Sequence, residues 1–227
     1  MVLGAATELV TSRPCHCSVA SKRVSWQMLG LTAHEMNTLV TYLLAAMMAW
    51  SPLAEHEYYE SREETFARYV AIAQTVAKVA LDPAEPPLFG GPDGRTETAL
   101  FMTSVAFYES GGFRRDVELG IGKHGRGDSG RSWCLMQVNV GSGTTAERWT
   151  GPDLVNDREK CFRAGLHRMR ESFTHCKGQT FIDRLSGYTD GRCKDGADAA
   201  HRRTNRAVQF WESHRPRDLA STALAAH

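Results

Sequence analysis

A glutamate at the end of a predicted buried helix is the first residue of this chain suited to catalysis. Residues 96–107 are apolar on nearly all sides, and the glycines at 111 and 112 follow Glu109 directly after one serine. This pattern predicts a helix in the middle of a domain that ends at the glycines. Burial and the negative end of the helix dipole both disfavour a charged carboxylate, so we expect the pKa of Glu109 to rise. A raised pKa suits a general acid near neutral pH, whereas a glutamate that only turns outward at a helix end is the structural alternative.

Three motifs in this part of the chain occur in a fixed order. Glu109 and Ser110 precede two glycines, a Gly-Asp-Ser-Gly element contains Asp128, and a Cys-Leu-Met-Gln segment spans 134–137. Together they resemble the superfamily of lytic transglycosylases and goose-type lysozymes, in which a Glu-Ser pair at a helix end precedes Gly-Leu-Met-Gln. The Gly-Asp-x-Gly element is similar to the goose-type branch in particular. A looser match at 185–191 resembles the segment that closes the same cleft, so the resemblance covers about residues 96–212.

The resemblance implies a mainly α, lysozyme-like fold (α+β with a small β element) whose cleft binds peptidoglycan glycan strands. It implies that Glu109 protonates the oxygen between N-acetylmuramic acid and N-acetylglucosamine, with no metal or organic cofactor. Ser110 would support Glu109 by hydrogen bonding, and Gln137 and Asn139 would line the sugar-binding floor with the neighbouring backbone. Tyr188 would pack over the reacting sugar or steady Glu109.

The sequence departs from the family pattern at three positions. Cys134 stands where glycine is usual, Asn139 stands where the goose-type branch has a second aspartate, and Thr189 replaces the asparagine that follows the tyrosine. Asp128 is then the candidate base of an inverting hydrolase, in which two carboxyl groups lie roughly 6.5–9.5 Å apart. A lytic transglycosylase needs no second carboxylate and forms 1,6-anhydro ends. The presence of Asp128 favours the hydrolase, and Glu109 argues against a third alternative, a non-enzymatic phage assembly protein with a degenerate lysozyme fold.

The elements that position these motifs are mostly helices. Helical periodicity predicts a helix between Thr32 and Pro52 and another that begins at a Ser61–Glu64 capping box. Four prolines and three glycines at 82–94 predict a boundary between a helical accessory or docking region, 1–90, and a peptidoglycan-cleaving domain, 91–227. Beyond it we expect a long glycine-rich loop at 111–131, strand character at 133–140, a helix capped by Asn156, and a last helix at about 197–211.

Composition restricts the setting. With 27 basic and 26 acidic residues the net charge is +1, which argues against a basic nucleic-acid binder. The excess of positive charge at 158–217 is consistent with an anionic polymer or with solvated helix faces. The longest apolar stretch has 12 residues, short of the roughly 20 that a membrane span needs. No secretory signal is recognisable, so we expect delivery in a phage virion or to the bacterial periplasm and cell wall, with residues 1–90 docking on a phage tail or other virion protein.

The six cysteines allow two kinds of site. Cys134, Cys161, Cys176 and Cys193 lie within one 60-residue segment, which predicts one or two disulfides outside a reducing cytoplasm. Cys15, His16 and Cys17, with the His175–Cys176 pair, suggest zinc instead, although their spacing differs from that of common zinc sites.

Overall fold

The computed structural model describes residues 33–53, 60–141, 143–178, 180–193 and 198–215. These ranges are mainly helical, as predicted, with a single two-stranded sheet among them. The long helices are α1 (Ala33–Trp50), α2 (Arg62–Leu81), α3 (Gly94–Glu109), α6 (Arg158–His175) and α9 (Asp198–Ser213). The short helices are α4 (Arg115–Glu118), α5 (Gly151–Asn156), α7 (Phe181–Arg184) and α8 (Ser186–Thr189), and the strands are β1 (Ser132–Trp133) and β2 (Val138–Asn139).

Helix α3 lies at the centre of the molecule, as its apolar sequence predicts. Its residues 98–106 are all buried, and it packs against α1, α2, α6 and α9. Tyr42 of α1, Tyr69 of α2 and Phe162 of α6 are fully buried in the same core. The central helix therefore carries Glu109 at its end on a rigid support.

The hydrophobic core continues across the proline- and glycine-rich segment at 82–94. Residues of α1 and α2 belong to the same cluster as those of α3 and α6. The boundary drawn at residue 90 therefore falls inside one core, because α1 and α2 bury their apolar faces against α3. A docking role for residues 1–90 stays a prediction, and residues 1–32 lie outside the described ranges.

The predicted helix ends agree with the structure to within a few residues. The capping box of α2 is present, with the Ser61 hydroxyl accepting from the Glu64 N–H and the Glu64 carboxylate accepting from the Ser61 N–H. The cap of α6 is Asp157, whose carboxylate accepts from two backbone N–H groups, and not the predicted Asn156. Asn156 instead ends α5, a short helix that the sequence analysis missed.

The predicted strand at 133–140 is a small antiparallel hairpin. Ser132 pairs with Asn139 and Trp133 pairs with Val138. The turn between them needs a left-handed backbone at Cys134, with φ 61°, and at Gln137, with φ 44°. The predicted glycine-rich loop before the hairpin is interrupted by α4 and by a 3₁₀ turn at 128–130.

Two disulfides join the second half of the chain. Cys134 in the hairpin turn is bonded to Cys161 of α6, and Cys176 is bonded to Cys193. The prediction of one or two disulfides among these four cysteines is confirmed. Cys15 and Cys17 lie outside the described residues. Within the described ranges no group of three metal-binding side chains occurs, and none of the helices found there is both long and apolar enough to cross a membrane.

Candidate active site

A groove of about 600 Å³ brings together five of the six residues selected from the sequence. The groove has three walls. One is the loop and hairpin at 127–139, the second is α8 and the third is α6. The five residues are Glu109, Asp128, Gln137, Asn139 and Tyr188.

Glu109 is the last residue of α3, and its side chain is 17% exposed. Arg203 of α9 donates two hydrogen bonds to one carboxylate oxygen, from Nε at 3.1 Å and from Nη2 at 2.8 Å to Oε1. The other oxygen, Oε2, has no hydrogen-bond partner among the described residues. Burial raises the pKa of Glu109, Arg203 opposes that rise, and the negative charge of Asp128 adds to it. Because burial prevails, Glu109 retains its proton to a higher pH than an ordinary glutamate.

Ser110 lies outside the groove, contrary to its expected contact with Glu109. Its hydroxyl donates to the carbonyl of Ala106 at 2.6 Å and accepts from the N–H of Phe113 at 2.8 Å. Both bonds are with the backbone, because the chain turns sharply at the two glycines that follow. Ser110 therefore stabilises the turn after Glu109 and does not bind the carboxylate or a sugar.

Helix α2 also holds this turn. Arg68 is buried, and its guanidinium donates to the carbonyl of Phe113 at 2.6 Å and pairs with Glu60 and Glu118. From the end of α1, Ser51 donates to the carbonyl of Gly112 at 3.1 Å. The segment before residue 90 thus positions the backbone next to the candidate acid.

Asp128 is exposed at the edge of the groove in a left-handed conformation, with φ 48°. Its Oδ2 accepts from the Ser132 hydroxyl at 2.6 Å and from the Asn139 amide at 3.1 Å. These two bonds, chiefly the one from Ser132, lower the pKa of Asp128. Asn139 therefore adds to the effect of Ser132 in favouring the ionised form of Asp128.

Gln137 ties the loop that carries Asp128 to the hairpin. Its Oε1 accepts from the N–H of Gly127 at 2.7 Å, and its Nε2 donates to the carbonyl of Cys134 at 3.0 Å. Cys134 adopts a positive φ that is usual for glycine, and the disulfide to Cys161 fixes its side chain in the core. The departure from glycine at this position is thus accommodated by a covalent link to α6.

Tyr188 of α8 lines the groove next to the hairpin turn. Its hydroxyl donates to the carbonyl of Met136 at 2.5 Å, and burial raises the pKa of the phenol. This bond joins α8 to the hairpin turn. Tyr188 therefore links two parts of the groove wall and stays protonated at neutral pH.

Sequence reasoning missed the partner of Glu109 and one wall of the groove. Arg203 gave no signal, because it is one of many arginines in the basic last part of the chain. The wall from α6 had a signal, a set of polar residues at helical spacing along one edge of the buried stripe of that helix. The stripe consists of Arg168, Glu171, Ser172 and His175.

Comparison with known proteins identified no relative of this chain. No protein-family model matches the chain, and neither a curated protein nor a solved structure matches it significantly.

Proposed function

We propose that this protein is a peptidoglycan-degrading glycosidase that cleaves the β-1,4 bond between N-acetylmuramic acid and N-acetylglucosamine. The observation that carries the proposal is the pairing of Glu109 and Asp128 in one groove, with pKa values shifted in opposite directions. Two carboxyl groups whose environments separate their pKa values are suited to act as acid and base in the same reaction. Asn139, Gln137 and Tyr188 line the same groove.

Glu109 is the general acid in this proposal. The proton resides on Oε2, since Oε1 accepts both hydrogen bonds from Arg203. Its transfer to the glycosidic oxygen breaks the bond from that oxygen to the anomeric carbon and leaves Glu109 ionised. Arg203 then stabilises the new carboxylate by a charge-assisted pair.

Asp128 is the base in the hydrolytic form of the reaction. Its carboxylate accepts a proton from water, the water oxygen bonds to the anomeric carbon, and the sugar leaves with a free reducing end. The lowered pKa and the exposed position of Asp128 support this role. In the alternative, a lytic transglycosylase, the sugar's own 6-hydroxyl attacks and a 1,6-anhydro end forms.

The partners in this proposal are peptidoglycan glycan strands, without nucleic acid, metal or cofactor. We infer that the protein acts from a phage virion or after delivery to the bacterial periplasm. The decisive experiment is a clearing assay on purified cell walls, with mass spectrometry of the released fragments. Reducing muramic acid ends identify a lysozyme, and 1,6-anhydro ends identify a transglycosylase. No released fragments from folded protein would favour a non-enzymatic assembly protein.

A further inference from the structure

A second hollow, of about 490 Å³, lies between the end of α1, the end of α3 and the outer face of α9. We call it the arginine hollow. Its main lining residues are Trp50, Tyr108, Arg202, Asn205, Arg206 and Gln209. It shares no lining residue with the groove that contains Glu109. No carboxylate lines it among the residues that the structure describes, whereas the groove has three, so the two sites have different electrostatic character.

Arg206 is held in place on aromatic rings. Its guanidinium carbon lies 4.2 Å from the ring centre of Phe107, 5.1 Å from that of Tyr108 and 5.9 Å from that of Trp50. Its Nε donates to the Tyr108 hydroxyl at 3.1 Å. A guanidinium fixed by cation–π contacts loses little freedom when it binds, and its planar donors match a carboxylate or phosphate.

The two Nη groups of Arg206 have no hydrogen-bond or ion-pair partner within the described ranges. Arg68, Arg163 and Arg203 by contrast each pair with at least one carboxylate. Arg202 lies one helical turn before Arg206 and is exposed. Among the described residues, the hollow therefore concentrates positive charge without a carboxylate to balance it.

The other lining groups are those that bind sugars. Trp50 and Tyr108 are half-buried and offer apolar ring surface, and the exposed amides of Asn205 and Gln209 offer both donors and acceptors. A pocket of this size with aromatic walls and a few polar groups is typical of small-ligand sites. We propose that the arginine hollow binds a sugar that carries a carboxylate or a phosphate, with the anion on Arg206 and the sugar ring against Trp50 and Tyr108.

The test uses the full chain and three probes: N-acetylmuramic acid, N-acetylglucosamine 6-phosphate, and neutral N-acetylglucosamine. Binding is followed by NMR through the Trp50 indole N–H, assigned with Trp50→Phe, and through the Arg206 Nε–H. Because these signals belong to the hollow, the result does not depend on cleavage in the groove. We expect the anionic sugars to shift both signals and the neutral sugar to bind at least tenfold more weakly. The relative affinities of the two anionic sugars distinguish a carboxylate from a phosphate ligand.

Variants test the role of the guanidinium. Arg206→Gln should weaken binding of the anionic sugars at least tenfold, and Arg202→Gln, at an exposed position, should weaken it less without affecting the fold. Arg62→Gln, which removes the same charge from the exposed start of α2, should have no effect. The proposal is overturned if the neutral sugar binds equally well or if Arg62→Gln weakens binding as much as Arg206→Gln. It is also overturned if no probe shifts the signals, or if a tetraglutamate peptide binds there more tightly than either anionic sugar.

Discussion

Arg203 binds a single oxygen of Glu109 and leaves the other without a partner among the described residues. The Arg203 side chain is 11% exposed and the Glu109 side chain 17% exposed, so the pair is largely shielded from water. The main-chain carbonyl of Arg203 also accepts from the buried Ser104 hydroxyl of α3 at 2.7 Å. The acid and its partner are thus fixed to each other both through their side chains and through the packing of α9 on α3.

The first prediction concerns Glu109 itself. Glu109→Gln removes the transferable proton but keeps the volume of the side chain, so the fold should survive. Loss of general acid catalysis typically costs about 10²–10⁴ in rate, and wall clearing should fall by that factor. Glu63→Gln, at an exposed position of α2, is the matched control and should clear walls like the wild type. Near wild-type clearing by Glu109→Gln would refute the proposed mechanism.

The second prediction tests Arg203 through the pH profile. Arg203 opposes the rise in the pKa of Glu109, so Arg203→Met should raise that pKa further. The alkaline limb of kcat/KM, which reports the free acid, should then move to higher pH. Arg203→Lys retains the charge, so its alkaline limb should lie closer to that of the wild type.

A purely structural role of Arg203 predicts a different profile. The rate would then fall at every pH while the alkaline limb stayed in place. Arg202→Gln, next to Arg203 but exposed and outside the groove, controls for the loss of one positive charge on α9. If the alkaline limb of kcat/KM moves equally in Arg202→Gln, the shift comes from the loss of positive charge on α9 and not from the contact between Arg203 and Glu109.

The third prediction separates the two reactions. Asp128→Asn cannot accept a proton from water, but its amide oxygen can still accept the hydrogen bond from Ser132. An inverting hydrolase should lose most of its activity, about 10²-fold or more, and the wild type should release reducing ends. A transglycosylase should tolerate the change and release 1,6-anhydro ends. Mass spectrometry of wild-type and Asp128→Asn digests checks both points.

The sequence predicted the parts of the site that depend on local pattern. The apolar run at 96–107 located the central helix, and the residue types after it located Glu109 and Asp128. It did not predict the partner of Glu109, because Arg203 lies 94 residues away and joins it only when α9 packs on α3. Ser110 was misjudged for a related reason: its bonds depend on the backbone turn, which the residue types do not define.

The role of the first two long helices could not be inferred from the sequence either. The prolines and glycines at 82–94 indicate where helices stop, but a break in secondary structure need not be a break in the core. Apolar stripes on α1 and α2 show that these helices pack against something without identifying their partner. The structure identifies it as α3, and Arg68 extends that contact to the turn after Glu109.

The fourth prediction follows from Arg68. Arg68→Met leaves Glu60 and Glu118 buried without this cation and removes the bond to the Phe113 carbonyl. Removing one partner of a buried ion pair typically costs about 3–5 kcal/mol when the other charge is left uncompensated. Arg115 still lies near Glu60 and Arg158 still pairs with Glu118, so the free energy of unfolding in urea should fall by the lower end of that range or less. Arg62→Met, on the exposed start of α2, should change it little. Because α1 and α2 share the core of α3, a chain that lacks residues 1–81 should not fold. A folded, wall-clearing truncation would show that α1 and α2 are dispensable.

The fifth prediction concerns the disulfides and their effect on the groove. Protein matured outside a reducing cytoplasm should show at most two free thiols under denaturing, non-reducing conditions, since four of the six cysteines are paired.

The Cys134–Cys161 bond closes a loop of 27 residues and joins the hairpin turn to α6, and such bonds typically contribute about 2–4 kcal/mol. The Cys134→Ser, Cys161→Ser double variant should unfold at lower urea concentration by that margin. The hairpin positions Gln137 and Asn139. The Cys134→Ser, Cys161→Ser double variant should therefore also raise KM for soluble glycan fragments more than it lowers kcat. The Cys176→Ser, Cys193→Ser double variant provides the comparison, as its bond lies outside the hairpin. Six free thiols in such protein, or equal effects of both double variants on KM, would contradict this account of the Cys134–Cys161 bond.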